Sequence, residues 1–347
     1  MFKTQKTIDS FFKSTTNNTN YDIKRYFYLI WENKFTPNID AYWTNIRPEK
    51  INFIEQIKCD YIKKGHYFYV CGYFIDYDEK YNLPKETTYK NIQYLKSHLQ
   101  KCIRKQNYTF GVPTAFHMMK LDLNDFLRRL PIIMLEDVYL HNSFSTVIWL
   151  MISNSTHNFK FKRYIYEWLL GVVYLLCIIN EKDIINVNNI DQEKNSKIID
   201  ILNNYNKLNE IEYSLLYCIH LRIAYGGMKC DLEMFENYAN IWEKRFIDKN
   251  ETNKINNIDV LPICINVSKL NIEDWDLSAI DYHCNQKIIG YILKKYDDID
   301  ESELKKLIWY NSSSINSRIK NIPYNEEKWN EIKKYVKKTQ QYLINSE

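Results

Sequence analysis

Glycine is scarce, seven in 347 residues, and none stands in a G-x-x-x-x-G-K-[ST] or G-x-G-x-x-G arrangement. Both loops need glycine so that the backbone can close around phosphate, which excludes P-loop and Rossmann-type nucleotide chemistry. H-E-x-x-H, G-x-S-x-G and the deaminase signature are missing as well. Eight cysteines stand at 59, 71, 102, 177, 218, 230, 264 and 284 with no C-x-x-C among them. Most fall within apolar helical patterns, which predicts buried free thiols rather than zinc or disulfides. No cofactor or metal is expected. The longest apolar run, residues 168–179, is too short to span a bilayer and reads as a buried helix. The opening MFKTQKTIDSFFKS lacks a signal peptide's apolar core. The expectation is a soluble intracellular protein with no membrane partner.

Hydrophobic residues make up 45% of the chain and aromatic residues 15%, enough for one large or two modest folded domains. A net charge of +4 permits nucleic-acid contact through a local patch without demanding it. Residues 1–20 end in STTNNTN, a polar, turn-rich segment expected to be a flexible, disordered tail. Within it lie Gln5, Ile8, Phe11 and Phe12. Two adjacent phenylalanines in a polar tail have no core to join, and exposed aromatic anchors of this kind mark binding motifs. The alternative is that they fold back onto the main domain. The spacing resembles the PCNA interaction box (PIP box), Q-x-x-[ILM]-x-x-[FY]-[FY], at every defined position. The resemblance implies a PCNA-type sliding clamp as partner. One tight helical turn would bring Ile8, Phe11 and Phe12 into an apolar pocket, with Gln5 in a separate small one.

Residues 91–152 are the most tightly patterned stretch. Ile92, Leu95, Leu99, Cys102 and Ile103 make an apolar stripe at helical spacing, and Lys96, Lys101, Arg104 and Lys105 make a basic face opposite it. That face is expected to be one solvent-facing strip, either contacting DNA phosphates or simply solvated. Gly111 and Pro113 break the pattern, with Pro113 suited to the first turn of a helix through Met119. A second apolar stripe runs over 123–138, kinked where the Pro131 ring meets the carbonyl four residues back. Arg128, Arg129, Glu136 and Asp137 are its inner polar residues, with only apolar residues between the two pairs. Isolated buried charge is costly, so an internal ion-pair network is favoured over a phosphate or acidic-ligand site on the arginines.

Leu99, Gln100, Lys101, Ile103 and Arg104, then Ala115, then Arg128, Arg129, Leu130, Glu136 and Asp137 follow an order that resembles one known family. It is similar to the C-terminal helical region of the RarA/MgsA and Werner-helicase-interacting clamp-loader-related ATPases, over about fifty residues. The missing P-loop removes that family's nucleotide-binding half. In that family Lys101 and Arg104 would occupy positions that can serve packing instead of DNA contact.

Helices are expected over 22–32, 49–64, 160–180, 210–225, 232–246 (capped by Asp231), 280–296, 301–310 and 326–343, with polar loops at 183–197 and 248–259. A β-hairpin is expected near 66–77, followed by a linker at 81–88. The fold class is mainly α: a multi-helix globular bundle with one small hairpin. The expected division is 1–20 tail, 21–90 N-terminal α(+β) subdomain and 91–347 helical domain. Two further polar groupings stand out. Gly226 and Gly227, between Arg222 and Lys229, would let amides approach a phosphate or simply turn the chain. Asp274, Asp276, Asp281, His283 and Cys284 lack metal-ligand spacing. The functional expectation is a clamp-tethered accessory factor in DNA replication or repair, nuclear or in a viral replication compartment, whose body contacts DNA or another replication protein. The alternatives are a clamp-recruited, nuclease-like enzyme with an acidic site assembled in three dimensions, or a scaffold whose tail motif is coincidental.

Overall fold

Residues 26–31, Tyr-Phe-Tyr-Leu-Ile-Trp, are aromatic and aliphatic throughout, a composition that suits a pleated, packed surface better than a helix with a polar side. They form strand β1 (Tyr26–Trp31). It is followed by β2 (Tyr42–Thr44), β3 (Phe53–Lys58) and β4 (Tyr67–Phe74). These strands replace the helices expected over 22–32 and 49–64. The hairpin expected near 66–77 is likewise one strand, β4, paired antiparallel with β3 and parallel with β1. The sheet order is β2-β1-β4-β3. The computed structural model describes residues 25–34, 39–61, 65–79, 81–83, 91–156, 158–183, 207–248, 261–270, 286–296, 298–308, 316–319 and 326–345. The motif at Gln5, Ile8, Phe11 and Phe12 and the grouping at 274–284 lie outside them.

The other regular elements among the described residues are helical, and the fold is mainly α with this small sheet. Helices α1 (Ile92–Arg104), α2 (Tyr108–Leu121) and α3 (Leu123–Ile133) are capped by Asn91, Asn107 and Asp122, whose side chains accept from amides of the first turn. Helix α2 starts at Tyr108, five residues before Pro113, so the proline sits beyond the expected first turn. Next come a π-turn (Met134–Val138), α4 (Ser143–Ser155), α5 (Arg163–Ile178), α6 (Glu210–Ala224) and α7 (Lys229–Asp248). Asp231 lies inside the first turn of α7 rather than before it. The last three are α8 (Gln286–Leu293), α9 (Glu301–Ile308) and α10 (Glu326–Asn345). Among the described residues no helix is long and apolar enough to cross a membrane. Seven cysteines there are free thiols, five of them buried.

Alternate residues of the sheet, including Phe27, Trp31, Trp43, Phe68 and Phe74, point into a core shared with the helices. Trp149 of α4 donates its indole N–H to the carbonyls of both Phe27 and Cys71, at 3.0 and 3.1 Å. The ring thus fixes the helix across the β1–β4 junction. The outer edge of β2 is closed by hydroxyls: Ala41 N–H donates to Thr146 Oγ1 at 3.1 Å and Trp43 N–H to Ser214 Oγ at 3.3 Å. Side chains on two helices thereby satisfy amides that an edge strand would leave open. Gly171 lets residues 261–270 lie on α5, because a Cβ there would overlap the Ile263 carbonyl. A second, smaller cluster joins Ile288, Ile292, Leu304, Leu307, Ile332 and Val336 of the last three helices, with Tyr94 of α1 packed against it.

Candidate functional site

The apolar stripe of α1 is buried as its spacing requires: Leu95, Leu99, Cys102 and Ile103 are 0–2% exposed. Its basic face is not the expected solvent strip. Lys96 pairs with Asp125 at 2.5 Å. Arg104 turns inward, 14% exposed, and its Nε meets Asp137 Oδ1 at 2.6 Å. Its Nη2 reaches Asp137 Oδ2 at 3.2 Å and Glu136 Oε1 at 3.3 Å. Lys101 and Lys105 are half-buried. The reason is local: Arg104 ends α1 within reach of two carboxylates, and a guanidinium fork matches a carboxylate better than water does.

Those carboxylates sit on the π-turn. Helix α3 runs through Pro131 to Ile133 and then widens at Met134–Val138. Proline removes one donor from the ladder, and a π-turn admits one extra residue and re-aims the side chains around it. Here the consecutive residues Glu136 and Asp137 both face α1. Gln100 joins them, its amide donating to Glu136 Oε2 at 2.8 Å and to Asp137 Oδ2 at 2.9 Å. The Gln100 carbonyl accepts from Arg129 Nη2. Of the four residues expected to form a network, Arg129, Glu136 and Asp137 therefore come together, with Gln100 and Arg104 between them. Arg128 does not join. Its Nη2 turns to the carbonyls of Tyr225 and Gly226, at 3.4 and 3.3 Å.

Three members carry no signal in the local pattern. Lys182 donates to the Glu136 carbonyl. Asn316 Nδ2 donates to the Asp137 carbonyl at 2.7 Å. Arg318 Nε donates to the Ile179 carbonyl at 2.7 Å and its Nη1 to that of Ile103 at 2.9 Å, while Nη2 takes that of Leu176. The ends of α1 and α5 leave carbonyls without intrahelical donors; one planar cation serves both. Burial holds Lys182 and Arg318 below their ordinary pKa. These residues arrive from 46 to 215 positions away, so no spacing rule finds them.

Both Asp137 oxygens are taken by Arg104 and Gln100, and of the two carboxylates only Glu136, with 43% of its side chain exposed, reaches solvent. The arrangement joins α1, the π-turn, the end of α5 and residues 316–318, as an internal network does. An open groove of about 670 Å³ lies elsewhere, beside Asn52, Asp76, Asp78 and Glu79. There Lys34 pairs with Asp76 at 2.5 Å and Glu79 at 3.8 Å. Among the described residues no three His, Cys, Asp or Glu side chains gather as a metal-holding group. In comparison with known proteins, the chain matches no protein-family model, no curated protein and no solved structure.

Proposed function

We propose that the chain is a PCNA-type sliding-clamp-binding accessory factor of DNA replication or repair, its helical body contacting DNA or another replication protein. The observation that carries this reading is the complete Gln5, Ile8, Phe11, Phe12 pattern in a segment that, apart from Met1 and Phe2, is otherwise polar. Two aromatic anchors and one aliphatic supply the buried contact, and the glutamine supplies register. Internal engagement of Asp137 by Arg104 and Gln100 supports a binding body over a catalytic one at the node.

Titration of a peptide spanning residues 1–18 into a PCNA-type clamp tests the reading directly. Ordering costs leave an affinity of about −8 kcal/mol, in the micromolar range. Replacing Phe11 and Phe12 by alanine should abolish the signal. Equal binding by the two peptides rejects the motif.

A further inference from the structure

Two guanidiniums at the α6–α7 connection have no carboxylate at ion-pair distance among the described residues. Arg222 is 2% exposed in the last turn of α6. Its Nε and Nη2 donate to the Arg128 carbonyl at 3.2 and 3.1 Å, and its Nη1 donates to the Gly226 carbonyl at 2.7 Å. Arg128 donates to the same Gly226 carbonyl at 3.3 Å, so the two cations converge on one acceptor. Among the described residues no carboxylate lies within 4.0 Å of either. Two other sheltered arginines differ: Arg104 holds Asp137 at 2.6 Å and Arg245 holds Asp183 at 2.6 Å. Asp231, in the first turn of α7, is the acid whose field offsets Arg222 in part, from beyond ion-pair distance. Burial first, and the Arg128 charge second, push the Arg222 guanidinium down to about 9. Buried like charges without an anion are costly, and an anion relieves that cost.

The turn between them is open. Gly226 has φ +70 and a Cβ built on it would meet nothing within 4 Å. A Cβ on Gly227 would lie 3.8 and 3.9 Å from the Arg222 Nη atoms, with Leu232 Cδ2 also at 3.9 Å. An oxygen seated where that side chain is missing is thus within reach of Arg222. Helix α7 starts two residues later, and its first amides lack intrahelical acceptors. Lys229, 91% exposed, has Glu233 at 3.4 Å as a neighbour one turn on.

We propose that this connection is a phosphate-binding site, with Arg128 and the first amides of α7 contacting the phosphate oxygens and Arg222 supplying charge from beneath. The site stands on its own geometry, independently of clamp binding. Its ligand is a phosphate group, carried either by a nucleic-acid backbone or by a free phosphate or monoester.

Isothermal titration and thermal melts of the full chain with inorganic phosphate, against chloride at matched ionic strength, read the site. Saturable binding and a dose-dependent rise in Tm are expected with phosphate alone. Arg128→Gln should weaken Kd about ten-fold or more, the worth of one charge-assisted contact. Gly227→Asp sets a carboxylate beside Arg222, so it should abolish the phosphate response while keeping or raising Tm without phosphate. That variant separates a lost site from a lost fold. No response beyond chloride, or an undiminished response in Gly227→Asp, overturns the proposal. Displacement of phosphate by a single-stranded oligonucleotide upholds the site and assigns it to a backbone diester; saturable phosphate binding without displacement upholds it for free phosphate or a monoester.

Discussion

Glu136 and Asp137 are neighbours in the chain, but their losses have different consequences. Asp137 is 1% exposed and holds the fork of Arg104, so Asp137→Ala strands a sheltered cation. Its removal should destabilise the fold by about 3–5 kcal/mol. Glu136 is 43% exposed and its pair with Arg104 is longer, 3.3 Å, so Glu136→Ala should lose about 1 kcal/mol or less. Urea unfolding with matched m-values decides between them, and the reverse ranking would contradict the node as described. A second residue-scale effect depends on pH. His220 is 3% exposed and neither ring nitrogen has a partner among the described residues, and burial pushes it down from 6.5 to about 4. The unfolded chain takes up this proton first as pH falls. Stability is therefore full above about 6.5 and declines toward pH 4, by up to about 3 kcal/mol from this ring. His220→Leu should flatten that part of the stability curve; an unchanged slope would mean the histidine titrates in the fold as it does in the unfolded chain. His117, pushed the same way by burial and then by Lys120, adds to the decline.

At the scale of elements, residues 316–318 act as a clip. Arg318→Ala leaves the carbonyls of Ile103 and Ile179 without its charge-assisted donors, a loss of about 2–3 kcal/mol. Exchange of the Ser317 amide, bonded to the Arg104 carbonyl at 3.0 Å, should then accelerate, while the Phe27–Phe74 strands keep their protection. Equal protection in the variant would show that Arg318 is not the tie. The helices α1, α3 and α5 were legible from apolar residues recurring every three or four positions, a pattern that only helical burial produces. The sheet was not. Its 26–31 strand pairs in parallel with one that starts at Tyr67, so no turn residues announce the partnership. In 53–58, Phe-Ile-Glu-Gln-Ile-Lys places apolar residues at spacings that fit a short helix as readily as a strand. The node was half legible. Charges within the apolar run 123–138 had to find partners, which fits Arg129, Glu136 and Asp137. That Arg104 would be one of those partners, 33 positions from Asp137, depends on how α1 crosses the π-turn.

For the whole molecule, any DNA contact through α1 would rest on less charge than its sequence offers, because Arg104 is engaged with Asp137 and Lys96 with Asp125. If the remaining surface touches phosphate, binding should be weak, sequence-independent and steeply reduced by salt. Lys101→Glu with Lys105→Glu should then flatten the salt slope by roughly two, and an unchanged slope would reduce α1 to a solvated surface. Under the proposed tethering at a clamp, the local concentration would be high enough for such weak contacts to act. The shared core also sets an order of events during synthesis. Trp149 follows the Phe27 carbonyl it anchors by 122 positions, and Ser214 follows Trp43 by 171. At about 5–20 residues per second, the strands emerge about 10–30 s before the helix that closes their edge. For that interval the ribosome carries a row of bare tyrosines, phenylalanines and tryptophans. The yield of folded chain is then a race between elongation and self-association, which a slower ribosome loses.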